Sequence, residues 1–328
     1  MARRQENGNY DLRRVFRRFL WILPVTVAVS LTIALVTTDS SQLLQLRRFS
    51  LPLLGLAAFL RIVPWITKSL RLTNWVRFRG HPFKLREAFR VTVTTELGSL
   101  ISPTIIGGEP IKAGMLYSRG ISAGESTSLT TVEGAENLTV FAVGVPFVVL
   151  LVSPGVLGRI RDHLASGSVN PTWIYLGLAL LLFLAASALY LNRRRGVYGR
   201  LTMKLRRFGR DFIKLYVEMA KEGKLRLAVN LILAAIHWTA RYSVVTALAW
   251  SLGYRIDPIT VLLLQWLLFG VMLAVPTPGA SGGAEAAFLI LFNGTLPPEA
   301  IGTILIGWRF IDYYFISILA MALVAGEG

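Results

Sequence analysis

Ser102-Pro103-Thr104-Ile105-Ile106-Gly107-Gly108-Glu109-Pro110 interrupts one apolar stretch of the chain. Pro276-Thr277-Pro278-Gly279-Ala280-Ser281-Gly282-Gly283-Ala284-Glu285 interrupts another. Each break has prolines, then a Gly-Gly pair, then a carboxylate. Pro103, Pro276 and Pro278 end helices and free carbonyls. Gly107, Gly108, Gly279, Gly282 and Gly283 let backbone approach backbone or a ligand closely. Lipid cannot satisfy the freed backbone groups, so such breaks are tolerated only inside protein or beside a wet cavity. A carboxylate at that depth is a functional-site hypothesis in its own right. The two breaks are therefore expected to face each other and frame a site for a polar group crossing a bilayer.

The composition agrees. Of 328 residues, 54% are hydrophobic and 16% charged, and mean hydropathy is +0.56. The long apolar runs predict an all-α integral membrane protein. The net charge of +17 resembles a nucleic-acid signal, but the basic residues stand in blocks between apolar spans, as in cytoplasmic loops; no nucleic-acid partner is expected. There are no cysteines and three histidines, which leaves no thiolate site and no HExxH-type spacing; neither metal nor cofactor is expected. The apolar run 19–36 is too long for a signal-peptide core, and no small-residue cleavage site follows it.

In chain order, a basic cytoplasmic N-terminus (1–18) precedes one membrane domain over 19–325. Spans are expected at about 19–37, 49–66, 172–191 and 227–252, with Arg61 snorkelling near the end of the second. The basic stretch 67–90 reads as a loop. Residues 192–226 carry apolar side chains at helical spacing and read either as an amphipathic helix on the membrane surface or as a solvated linker helix. Ser122 and Glu125 have the spacing of a capping box.

The grammar of the breaks repeats. Repeat 1 covers about 85–152 and repeat 2 about 258–325. Glu109 is followed by Glu125 at a helix start, then Gly134 and Asn137. Glu285 is followed by Glu299, then Arg309 and Asp312. Most Lys and Arg lie in 1–18, 67–90 and 192–226; Arg47, Arg48, Arg159, Arg161 and Arg255 occupy the opposite-side loops. That asymmetry places the N-terminus and the basic loops in the cytoplasm. With about six full transmembrane helices, two re-entrant broken hairpins then enter from opposite faces, as an inverted repeat of the kind transporters use.

Glu109 and Glu285 are the sharpest candidates: they bind a cationic headgroup, carry protons, or hold the hairpin tips by accepting backbone N–H bonds. Arg309 suits a phosphate, because its planar guanidinium binds two oxygens at once; Asp312, about one turn on, is equally placed to pair with it. His237 and Arg241 share a helix face, and Arg241 is expected on the same cavity. Glu96, Glu133 and Glu136 extend the acidic set, and Lys112 is a headgroup contact or a snorkelling residue. No GxSxG, no Walker A and no glycosyltransferase-like DxD with a soluble domain is present.

The motifs 102–117, Gly120-Ile121-Ser122 and 276–287, with Arg309 following, resemble the flippase-like transmembrane domain of bacterial lysylphosphatidylglycerol synthases, a family also found as stand-alone members. The resemblance covers nearly the whole chain from Phe19. It implies movement of a polar lipid between leaflets of the cell membrane, without the soluble aminoacyl-transferring domain and hence without lysyl transfer. The family commonly has an Arg and an Asp where this chain has Gly134 and Asn137. The leading expectation is a lipid flippase rather than an enzyme, with a polar-headed membrane lipid as its partner. The alternatives are an integral membrane lipid-linked glycosyl or aminoacyl transferase, and a non-transporting subunit of a partner lipid synthase.

Overall fold

The computed structural model describes residues 45–102, 105–151, 221–275 and 277–326, with isolated positions 28, 32, 217 and 218. The expected N-terminus (1–18), the spans at 19–37 and 172–191, nearly all of the amphipathic segment 192–226, and Pro103 and Pro276 lie outside the described residues. The chain divides into two compact units, residues 1–151 with 228–328, and residues 152–227.

Among the described residues the regular structure is helical, as the composition predicts. Helix α1 (Leu51–Phe78) has Pro52 in its first turn, where no N–H is needed. Helix α2 (Leu85–Ile101) starts where the Lys84 N–H donates to Glu87 Oε2 at 2.8 Å. A 3-10 turn (Ile105–Gly108) leads into short α3 (Glu109–Tyr117) and then long α4 (Ala123–Leu151). Helix α5 (Lys224–Ser251) follows. Helix α6 (Pro258–Ala274) is capped by Asp257, whose carboxylate accepts from the Thr260 N–H at 3.1 Å. A 3-10 turn (Pro278–Ala280) leads to short α7 (Gly283–Phe292). The last rod is α8 (Ile301–Arg309), a π-helical turn (Phe310–Phe315) and α9 (Ile316–Ala325).

The same order therefore occurs twice: a helix of 17 residues, a 3-10 turn, a helix of nine or ten, then a long rod. At 1.5 Å per residue α2 and α6 each reach only about 25 Å, short of the ~30 Å hydrocarbon layer. By length and composition α1, α5 and the Ile301–Ala325 rod can each cross a bilayer.

Two expectations shift. Helix α1 does not stop near Ile66; it runs on through Lys68 and Arg71 to Phe78. Arg61 consequently lies mid-helix and buried, not snorkelling at an end. The capping box of α4 is half formed. The Glu125 N–H donates to Ser122 Oγ at 3.3 Å, but the Glu125 carboxylate is taken by Arg79 and His81.

The apolar core supports the second break. Phe288 stacks on Phe292 and Trp308 with centroids 4.4 and 5.2 Å away, within a buried cluster that includes Val244, Leu248 and Leu268. A second cluster packs Trp65, Val93 and Leu97 against Tyr313 and Ile316. The two 3-10 turns meet each other, and the Tyr313 hydroxyl donates to the Leu100 carbonyl at 3.1 Å, tying the last rod to the end of α2.

Two of the described glycines show why the breaks need this residue. At Gly108 a Cβ would overlap the Thr95 carbonyl and Ser99 Oγ; at Gly279 (φ +60°) it would overlap the Tyr313 ring. Gly279→Val should thus combine left-handed strain with a clash against a buried ring, costing about 3 kcal/mol or more. A thermal melt of the detergent-solubilised protein should fall by several degrees; an unchanged melt would contradict this packing.

Candidate functional site

Three groups of buried charges converge between the broken segments. The first holds the second break. Arg309, at the end of α8, meets Glu285 in the first turn of α7 twice: Nε to Oε1 at 2.8 Å and Nη2 to Oε2 at 2.8 Å. Its Nη1 also donates to the Gly279 carbonyl at 3.1 Å, one of the acceptors exposed by the break. Glu285 Oε2 in turn accepts the Gly282 N–H at 2.7 Å. A charge-assisted Arg–carboxylate hydrogen bond is among the stronger polar contacts available, and here the pair closes both ends of the irregular backbone.

The second group is centred on Arg61 of α1. Its Nη2 donates to Glu96 Oε1 of α2 at 2.7 Å, and its Nε lies 2.6 Å from Asp312 Oδ1 in the π turn. Lys68 Nζ reaches the other oxygen of Glu96 at 3.3 Å, and Arg241 Nη2 of α5 reaches the other oxygen of Asp312 at 3.1 Å. Each carboxylate is thereby shared by two cations.

The third group lies on α3 and α4. Buried Lys112 Nζ meets Glu133 Oε2 and, at 3.3 Å, Glu109 Oε2. Beside it Arg71 of α1 pairs with Glu136 at 2.6 Å and donates to Asn137 Oδ1 at 3.0 Å. Asn230 Nδ2 of α5 also donates to Glu136.

These groups surround a cavity of about 550 Å³. Its polar wall holds Lys68, Glu96, Glu109, Glu133, Arg241, Arg309 and Asp312; its apolar wall includes Phe141, Trp238 and Phe269. Both broken segments contribute, through Ser99, Leu100 and Glu109 on one side and Met272, Leu273 and Gly279 on the other. The volume and the mixed lining are those of a small-molecule or headgroup pocket.

Of the sequence candidates, Glu96, Glu109, Arg241, Arg309 and Asp312 line the cavity. Glu285 and Lys112 stand one layer behind it, buried, and hold Arg309 and Glu109 respectively. The pairing offered by spacing, Arg309 with Asp312, does not form. A π turn begins at Phe310, and Asp312 faces Arg61 and Arg241 instead. His237 is buried against Trp238, with ring centroids 4.7 Å apart. The sequence reading missed Arg61, Lys68 and Arg71 as site residues. A lone Arg in the apolar run 49–66 was the available signal for the first; the other two read as loop charges.

A family model for the lysylphosphatidylglycerol synthase TM region matches residues 21–320. The chain belongs to that family. It is also similar to a UPF0104 membrane protein of Archaeoglobus fulgidus, at 23% identity over 304 residues, which covers 88% of this chain and 91% of that protein. This member of the family is thus a membrane-embedded protein of a lipid-related class, and the charge clusters described above belong to its transmembrane region.

Removing one partner of a buried pair leaves the other charge uncompensated, typically at a cost of about 3–5 kcal/mol. Glu285→Gln should therefore lower the unfolding temperature markedly, while the double change Glu285→Leu with Arg309→Met should recover much of the loss. Thermal melts of the three purified forms decide this. A double variant as unstable as the single one would show that the pair itself is not what Glu285 supports.

Proposed function

We propose that the protein carries the polar headgroup of a membrane lipid between leaflets, with the headgroup in the charged cavity and the acyl chains in the bilayer. The observation that carries this reading is the cavity itself: seven ionisable side chains on one wall, aromatic rings on another, and both broken segments contributing. A polar cavity inside an apolar bundle is expensive to maintain and is the usual mark of a substrate path. Membership of the lysylphosphatidylglycerol synthase transmembrane family supports a lipid as the cargo.

In this reading Glu109, Arg241, Arg309, Asp312 and Glu96 contact the headgroup, while Glu285 and Lys112 hold two of them in place. The repeated element order supports an inverted repeat, 85–152 against 258–325, whose two halves expose the cavity to opposite faces in turn. The excess of Lys and Arg in the expected loops supports a cytoplasmic N-terminus in the cell membrane.

Reconstitution tests the reading. Vesicles containing the protein should move acyl-labelled phospholipid between leaflets faster than protein-free vesicles. Arg241→Gln should slow that movement about tenfold, the effect of losing one contact of about 1.4 kcal/mol. It should fold normally, because Arg61 still partners Asp312. Transport by Arg241→Gln at the parent rate would remove this residue from the headgroup site.

A further inference from the structure

Two of the three charge clusters are unbalanced, and their imbalances are opposite. In the chain Lys68–Glu96–Arg61–Asp312–Arg241, three cations face two carboxylates. Its central member Arg61 is 1% exposed, but the two ends, Lys68 and Arg241, have side chains 21% and 17% exposed and both line the cavity. The excess positive charge is therefore presented at the cavity wall. In the group Glu109–Lys112–Glu133, two carboxylates share one ammonium. Lys112 is buried, whereas Glu109 and Glu133 line the cavity and the Glu109 side chain is 40% exposed. That excess is negative. The Arg309–Glu285 pair is neutral.

Comparison of the two halves explains the negative end. Behind the second break Glu285 is neutralised by Arg309, ten residues after Glu299. Behind the first break the matching position, nine residues after Glu125, is Gly134. Gly134 lines the cavity, and nothing lies within 4 Å of where its Cβ would stand. A side chain stands at this position in the second half and none in the first.

We propose that the cavity selects a zwitterionic lipid headgroup, one phosphodiester and one ammonium, with the phosphate between Lys68 and Arg241 and the ammonium beside Glu109 and Glu133. The inference rests on the lipid-translocation reading given above. In a low-dielectric site an unmatched charge is costly. A net-anionic headgroup leaves the carboxylate end unmatched, a net-cationic one overfills it, and a zwitterion balances both ends.

The test uses the whole protein in vesicles of uncharged digalactosyldiacylglycerol, with a trace of acyl-labelled phosphatidylethanolamine, phosphatidylglycerol or lysylphosphatidylglycerol. The parent should move phosphatidylethanolamine about tenfold faster than either of the others. Glu109→Gln removes one negative charge and should turn the preference toward phosphatidylglycerol. Lys68→Gln removes one positive charge and should turn it toward lysylphosphatidylglycerol. Preference is a ratio between lipids, so a smaller folded fraction does not alter it. Equal rates for the three lipids, or ratios that neither variant changes, would overturn the proposal while leaving translocation intact. Movement of none of them would overturn translocation. In that case, calorimetry of the solubilised protein with glycerophosphoethanolamine and glycerophosphoglycerol decides the charge arrangement alone. Tighter binding of the former, reversed by Glu109→Gln, would uphold it for a soluble ligand; equal binding would overturn it.

Discussion

One guanidinium links three parts of the bundle. Arg61 sits in the middle of α1, out of reach of water, and contacts Glu96 of α2 and Asp312 of the π turn. Three elements remote in sequence thereby share one charge. In an apolar bundle such a group is tolerable only if its partners are fixed, because an uncompensated ion costs several kcal/mol. The dispositions of α1, α2 and the last rod are therefore set by electrostatics as well as by packing. The π turn belongs to the same constraint. Its extra residue carries Asp312 away from Arg309, so that Arg309 closes the second break and Asp312 completes the Arg61 cluster.

The cavity follows from that division of labour. Behind the second break Glu285 and Arg309 pair with each other and with the interrupted backbone, which makes that break internally braced. Behind the first, Glu109 meets a shared ammonium among the described residues, and Gly134 contributes no side chain. Of two segments with one grammar, the second is internally paired and the first faces the cavity. Aromatic rings at Phe141, Trp238 and Phe269 close the far side.

Much of this was legible in the residues. Pro and Gly at fixed offsets located both breaks, and the carboxylates that follow them stand in the first turns of α3 and α7. Helical class followed from hydropathy alone. The course of α1 was not legible. Lys68 and Arg71 look like loop charges in a linear reading, and only partners 28 and 65 residues further on allow them to continue the helix inside the bundle. The misassigned pair at Arg309 has a local cause instead. Spacing arguments assume 3.6 residues per turn, and the π turn breaks that assumption within three residues.

Glu96 and Asp312 are each held by two cations, one deep and one at the cavity wall. The wall-side cation of each is redundant for solvating its carboxylate. Either Lys68 or Arg241 can turn toward an incoming anion while Arg61 and the other wall-side cation still balance the two carboxylates. The bundle thus has spare capacity in its internal solvation: it can lend a charge to a guest without leaving a bare ion behind, much as a second hand on a rail frees the first.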